Sequence, residues 1–312
     1  MIVRLGYACI SETLDITSSS TYTYTNFCKE KDYKKLDDII KSNLLALKEI
    51  LIYNVKNNIH FFRLSSNIVP LATRKDIEFD YFSNFKYIYD EIGNLISCNK
   101  IRTDFHPGEF CVLNSVHPEV VSNSIDILKY HYNLLKYLNI DSKLLVLHVG
   151  SSAFGKEKSI NRFCHNFKML NSKLQKCIAI ENDDKSFSVD DCIEIYNRLK
   201  IPIVFDYHHH ICNKGKLNLS EFIKPIFESW QGSTPKMHFS SPKSRLNKEK
   251  RFHSDYINSD TFIEFIEMIK IYNQDIDIMI EAKKKDEALF RLVRELKYKT
   301  DYYFVDETTF IV

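Results

Sequence analysis

Short apolar runs recur along this chain, several of them with alternating faces. They are separated by longer stretches whose apolar residues return every three or four positions. The first pattern belongs to β-strands, the second to amphipathic helices. Eight strands are predicted, at Ile2–Gly6, His60–Leu64, Ile101–Phe105, Lys143–His148, Cys177–Glu181, Ile203–Asp206, Lys236–Phe239 and Ile276–Glu281. Helices are predicted over Tyr33–Val55, Tyr81–Leu95, Pro118–Leu138, Arg162–Leu174, Val189–Leu199, Ser220–Glu228, Asp260–Ile271 and Asp286–Leu296. Leu44, Leu47, Ile50 and Leu51 show the helical spacing. Eight strand–helix pairs in 312 residues are the count for an α/β fold of one domain, a (β/α)8 TIM barrel spanning residues 1–312. An open doubly wound sheet would need a glycine-rich phosphate turn after its first strand, and Gly6-Tyr7-Ala8-Cys9 cannot supply one.

Composition adds a few exclusions. With only 7 Gly and 7 Pro, the chain has no low-complexity linker to separate domains. Its 8 Cys form no CxxC pair and several lie in apolar runs, as expected of reduced thiols in a cytoplasmic protein. MIVRLGYACI enters a strand directly, with no export signal expected, and no apolar stretch reaches the length of a membrane span. The net charge of +2 says little about partners, but its distribution says more. Basic residues gather where the barrel mouth is expected: Lys243, Arg245, Lys248, Lys250 and Arg251 after strand seven, Lys283–Lys285 after strand eight, and Arg74 and Lys75 after strand two. Such a rim suits phosphate contacts. Tyr22, Tyr24 and Phe27 in the first loop are expected to pack, as aromatic residues ordinarily do.

The chemistry sits at the strand ends. His106, His148, Glu181, Asp206 and Glu281 end strands three, four, five, six and eight, and His238 lies near the end of strand seven. His208, His209 and His210 follow Asp206, and His253 falls in the long polar loop from Ser240 to Ser259. In LLVLHV, CIAIE and DIMIE the branched residues share one face, and His148, Glu181 and Glu281 share the other. If the branched face packs on the outer helices, the polar residues point into the barrel. One strand-end His or carboxylate is ordinarily a hydrogen-bonding or capping group. Six on successive strands would bury several charges at a cost of several kcal/mol each unless cations neutralised them. A His/carboxylate set without Cys suits Mn²⁺, with Zn²⁺ or Fe²⁺ as alternatives. So many ligands imply two or three divalent ions, and ions about 3.5–4 Å apart suit phosphodiester hydrolysis.

These residues lie in LGY (5–7), FHPGEFCVLNS (105–115), LHVG (147–150), IEND (180–183), FDYHHH (205–210), KMHFSS (236–241), HSDYI (253–257) and MIEAKKKDEAL (279–289). Together they resemble the UV damage endonucleases over essentially the whole chain. The resemblance implies a barrel akin to endonuclease IV that nicks damaged double-stranded DNA immediately 5′ of cyclobutane dimers and 6-4 photoproducts, with abasic sites a further substrate. It implies metal ligation by His106, His148, Glu181, Asp206, His209, His238, His253 and Glu281, and catalysis through Glu181, Glu281, Lys236 and His238. Lys236 matches a lysine beside the metals, compatible with a carbamylated bridging ligand or with an ammonium that binds phosphate. Tyr7, Ser11, Glu109 and Phe110 would contact the lesion, with Lys243 and Arg245 contacting DNA. Two departures stand out. Glu109-Phe110 replaces a Gln-Tyr pair, keeping a ring able to wedge into the duplex, and Ser11 replaces an Asn. An apurinic-site endonuclease of the endonuclease IV type and a metal-dependent sugar isomerase or epimerase are the alternative readings. The protein is expected to act as a monomer.

Overall fold

The computed structural model describes residues 1–244 and 249–312. All eight predicted strands are present: β1 (Ile2–Ala8), β2 (Phe61–Arg63), β3 (Arg102–Asp104), β4 (Leu145–His148), β5 (Ile178–Glu181), β6 (Ile203–Asp206), β7 (Lys236–Phe239) and β8 (Ile276–Ile280). They are parallel and ordered β3-β2-β1-β8-β7-β6-β5-β4, a nearly closed barrel. The seam between β3 and β4 is held just beyond β3, where Phe105 N donates to Leu144 O at 3.1 Å and Val146 N donates to Phe105 O at 2.9 Å.

Around the strands run α1 (Tyr24–Glu30), α2 (Tyr33–Lys56), α3 (Lys86–Cys98), α4 (Pro118–Tyr137), α5 (Lys156–Met169), α6 (Ser172–Gln175), α7 (Val189–Leu199), α8 (Tyr207–Cys212), α9 (Leu219–Ser229), α10 (Ser259–Ile269) and α11 (Lys285–Lys299). The short α1 and α8 were not expected. The helix predicted over Arg162–Leu174 is two, because Leu170 is extended and Asn171 caps α6 by accepting from Leu174 N. The helix predicted from Tyr81 starts later, because Asp80 turns the chain by accepting from Phe82 N and Ser83 N. A C-terminal hairpin, β9 (Tyr303–Phe304) and β10 (Thr309–Ile311), adds antiparallel pairing to β1, and its strands are too short for a periodic signal. Among the described residues, no helix is long and apolar enough to cross a membrane.

The faces sort as strand alternation predicts. Leu145, Leu147, Ile178, Ile180, Ile278 and Ile280 join the helices in the main core. Val146, Ala179 and Val204 form a separate cluster with Leu144 and Trp230, and Ala8, Phe61 and Met279 form another. These small interior clusters fill the barrel as a packed core. Beneath them, the buried Asp277 carboxylate accepts from Arg4 (2.6 and 2.8 Å) and from Arg102 (2.6 Å). Gly6 brings β1 close to its neighbour: a β-carbon there would stand 2.1 Å from the Phe61 carbonyl oxygen. A residue in the LGY motif is thus explained by backbone packing.

His131, on α4, is structural. Its Nδ1 lies 2.8 Å from the Ile127 carbonyl and its Nε2 2.9 Å from Ser66 Oγ. The carbonyl can only accept, so Nδ1 carries the proton and Nε2 accepts from the hydroxyl. Burial pushes the ring from the ordinary 6.5 down to about 4. Its neutral form therefore supports the fold fully above pH 6.5. That support is lost as pH falls toward 4, because the unfolded chain binds a proton that the folded chain refuses. From about 1.4 kcal/mol per pKa unit, wild type should lose on the order of 2 kcal/mol more than His131→Gln between pH 7.5 and 4.5. Urea unfolding at the two pH values measures this, and equal losses in the two proteins would refute the assignment.

Candidate metal centre

Strands β4 to β8 and the loop after β3 converge at the C-terminal mouth, and Glu181 stands at the middle. Its carboxylate is fully buried. Oε2 lies 2.7 Å from His106 Nε2 and 3.8 Å from His148 Nε2, and Oε1 lies 2.9 Å from His238 Nδ1 and 3.2 Å from His209 Nδ1. Three groups that could each hold a metal ion result: His106, His148 and Glu181; Glu181, Asp206 and His209; Asp206, His238 and Glu281, with the potential ligand atoms within 4.8 Å of one another in each. Glu181 belongs to the first two groups and Asp206 to the last two. The groups overlap through carboxylates, the side chains best able to bridge two cations.

Local structure aims these ligands. Asn182 Nδ2 donates to Asp206 O at 2.9 Å and Asn182 Oδ1 accepts from Asp206 N at 2.9 Å, so the side chain mimics one more rung between β5 and β6. Asp206 Oδ1 caps α8 by accepting from His209 N at 2.7 Å. That cap turns His209 inward. His106 Nδ1 lies 3.1 Å from the Pro107 carbonyl and His209 Nδ1 3.0 Å from the Asn182 carbonyl. Each carbonyl takes a ring N–H, which leaves the opposite nitrogen with a lone pair. Of the histidine triple, only His209 enters the cluster: His208 reaches Arg251 O at 3.4 Å, and His210 packs on Phe205 and Phe222. His253 sits at the rim, its Nδ1 3.9 Å from Glu281 Oε2.

The electrostatics call for cations. Burial pushes Asp206 up to about 7, with Glu181 and Glu281 adding to the rise and His209 opposing it. Burial pushes His238 down to about 4 against the attraction of Glu181 and Glu281. Asp206 Oδ2 and His148 Nδ1 are buried without a hydrogen-bond partner among the described residues. An unpaired carboxylate oxygen of this kind is costly in a dry site and is what a metal ion would satisfy. The donor set therefore fits divalent metal.

A layer of charge under the cluster was missed from the sequence. Lys236 is fully buried and donates to Asp104 Oδ2 at 2.6 Å. Burial pushes the Lys236 ammonium down to about 8, against the pull of Asp104. Arg63 lies 3.6 Å from Asp104, 2.6 Å from Glu281 Oε1 and 2.8 Å from His238 Nε2. Burial works against its guanidinium, but Glu281 and Asp104 outweigh it. The available signal was parity, since Arg63 and Asp104 follow Phe61 and Arg102 on the inward faces of their strands. The Lys236 side chain lies enclosed beneath the cluster, paired with Asp104.

The predicted lesion contacts divide. Tyr7 is buried and donates to Asn54 Oδ1 at 2.7 Å, so its ring is core and not a DNA-facing surface. Ser11 is also buried and donates to Asp286 Oδ2 at 2.7 Å, tying the loop after β1 to the first turn of α11. Both side chains are thus turned into the protein, each with a hydrogen-bond partner of its own. Glu109 is exposed and Phe110 is 81% exposed, in the loop after β3. Lys243 is exposed and donates to Glu249 at 2.9 Å, while Arg245 and Lys248 lie outside the described residues. Part of the basic rim is neutralised locally, Arg251 by Asp184, Lys75 by Asp126 and Lys284 by Glu12. Tyr22 and Phe27 are buried against each other, and Tyr24 lies under Arg74.

The fold and site define a (β/α)8 barrel with an inward His/carboxylate centre suited to divalent metal. A profile of the UV-endonuclease UvdE family matches residues 3–306, and the chain belongs to that family. It is 41% identical over 303 residues to the UV DNA damage endonuclease of Bacillus cereus (strain G9842), covering 95% of each chain. The crystal structure of SacUVDE is 36% identical, with a TM-score of 0.87 and coverage of 95% of this chain and 98% of that one. Endonuclease IV from Thermus thermophilus shares the fold at a TM-score of 0.58 and 10% identity, over 95% of this chain and 100% of that one. The D-psicose 3-epimerase of Clostridium cellulolyticum does so at 0.54 and 11%, over 89% and 85%. The protein is thus a metal-dependent DNA-repair endonuclease acting on UV photoproducts.

Proposed function

We propose that the protein nicks the DNA backbone immediately 5′ of cyclobutane dimers and 6-4 photoproducts, as a monomer and a single domain, with two or three Mn²⁺ ions. The observation that carries this reading is the row of three ligand groups joined by Glu181 and Asp206, at a mouth that also presents the exposed Phe110. His106, His148, Glu181, Asp206, His209, His238, His253 and Glu281 would hold the ions. Bound there, divalent metal would lower the pKa of water and polarise the phosphoryl oxygens. The chain's own contribution is orientation. Asn182 and Pro107 fix ligand geometry from behind, and Arg63 adds positive charge against Glu281. Phe110 offers a ring to wedge beside the lesion, and Glu109 replaces a neutral side chain with a carboxylate next to it. Lys243 and Arg245 would track phosphates, so binding should weaken with salt. All eight cysteines are free thiols, which supports a reducing, cytoplasmic setting.

The test is cleavage of a labelled duplex bearing one cyclobutane dimer, with Mn²⁺ or with EDTA, beside abasic and undamaged duplexes. A metal-dependent nick immediately 5′ of the dimer, lost in Glu281→Gln, is expected. Cleavage of the abasic duplex alone would reassign the substrate, with Glu109 the first residue to examine. No cleavage of any duplex by metal-loaded protein would overturn the reading.

A further inference from the structure

Two adjacent strands, β3 and β4, lead into ligand histidines whose rings lie 5.0 Å apart, His106 and His148. The loop beyond each carries an exposed phenylalanine, Phe110 after the first and Phe154 after the second. Phe154 is 76% exposed. Its backbone is left-handed, with φ of 63°, and Gly155 follows at 96°. A bulky aromatic residue rarely adopts that conformation, and when it does the surrounding structure must hold it there.

The surroundings do hold it. Asn114 in the Phe110 loop accepts from Ser151 N at 2.9 Å and donates to Ser151 O at 2.8 Å. Arg162 on α5 donates to Asn114 O at 2.9 Å and to Ala153 O at 2.7 Å, tying both loops to one helix. Ser159 Oγ donates to Ala153 O at 3.0 Å, and Gly155 N donates to Ser152 O at 3.0 Å. At Gly150 a β-carbon would stand 2.6 Å from Asn114 Oδ1, so the close approach of the loops depends on that glycine. The result is a braced platform that spends a strained residue on presenting an apolar ring to solvent. An unfavourable backbone and an unburied ring in a braced loop have no packing purpose. They make sense if the ring is covered by a ligand.

We propose that Phe154 is a second aromatic contact to the damaged duplex, stacking on a base exposed at the lesion while Phe110 enters from the neighbouring loop. This rests on the DNA-nicking function proposed above. These hydrogen bonds are in place before DNA arrives, so the contact adds affinity with little ordering cost. Base–aromatic stacking tolerates any base, which suits a protein that must recognise distortion in many sequence contexts.

Single-turnover nicking of the dimer duplex with Mn²⁺, over a range of enzyme concentrations, tests this. Phe154→Ala should raise the half-saturating concentration about tenfold, as expected of one lost base contact. Its maximal rate and thermal midpoint should stay unchanged, and Phe154→Tyr should behave as wild type. As a second readout, Phe154→Trp adds an exposed indole to a chain whose 1 Trp, Trp230, is buried. Stopped-flow mixing with the dimer duplex should change the emission of that indole. Wild type that nicks while Phe154→Ala saturates identically and Phe154→Trp emission stays constant would overturn this inference alone. Wild type that nicks no duplex would overturn the functional reading and this inference with it.

Discussion

Glu181→Gln is expected to lower the nicking rate by roughly 10³-fold or more, the upper range for losing one charge-stabilising group. Four imidazoles face this one buried carboxylate, and it is common to two of the three ligand groups. A neutral amide keeps the volume but removes the charge that would balance two cations, and its NH₂ end has no lone pair to offer a metal ion. Bound metal, counted by mass spectrometry after desalting, should fall by at least one ion per chain. Single-turnover nicking at saturating Mn²⁺ measures the rate. A variant within tenfold of wild type, with full metal content, would show that Glu181 is not the bridge.

Asp104→Ala should destabilise the protein by about 3–5 kcal/mol, the cost of breaking a buried ion pair from one side. Asp104 and Lys236 are both fully buried, and Arg63 is nearly so. Burial works against the Asp104 carboxylate, but Lys236 and Arg63 hold it below its ordinary range. Removing it leaves two cations facing each other in the barrel interior. At about 2–4 °C per kcal/mol, the thermal midpoint should drop by roughly 10 °C. The double variant Asp104→Ala/Lys236→Met should recover part of that loss, because the stranded ammonium is gone. A single-variant loss below about 1 kcal/mol by urea unfolding would show that the pair is hydrated or otherwise compensated.

Tyr7 and Ser11 show where sequence reading stops. Tyr7 lies near the end of β1 and Ser11 just beyond it, and nothing in the local pattern separates a core tyrosine from an exposed one. Only the approach of α2 gives Tyr7 its partner, Asn54, and only α11 gives Ser11 its partner, Asp286. The basic rim is a similar case. Arg251 counted as a free cation until the loop after β5 brought Asp184 to it.

What the chain determined alone is the barrel and the direction of its ligands. Alternation is a local property, set by the two-residue period of a strand, so Val146, Ala179 and Met279 could be assigned to the interior with His148, Glu181 and Glu281 above them. Tertiary structure decided which inward charges meet. Arg63, Asp104 and Lys236 come from three strands far apart in the chain, and the barrel's closure and register bring them to one level beneath the ligands. It also decided that Phe154 stands exposed on a left-handed turn, because the hydrogen bonds holding that turn come from Asn114 and Arg162 on other elements. Spacing along a strand is written in neighbouring residues, whereas pairing across a barrel exists only once the sheet has closed.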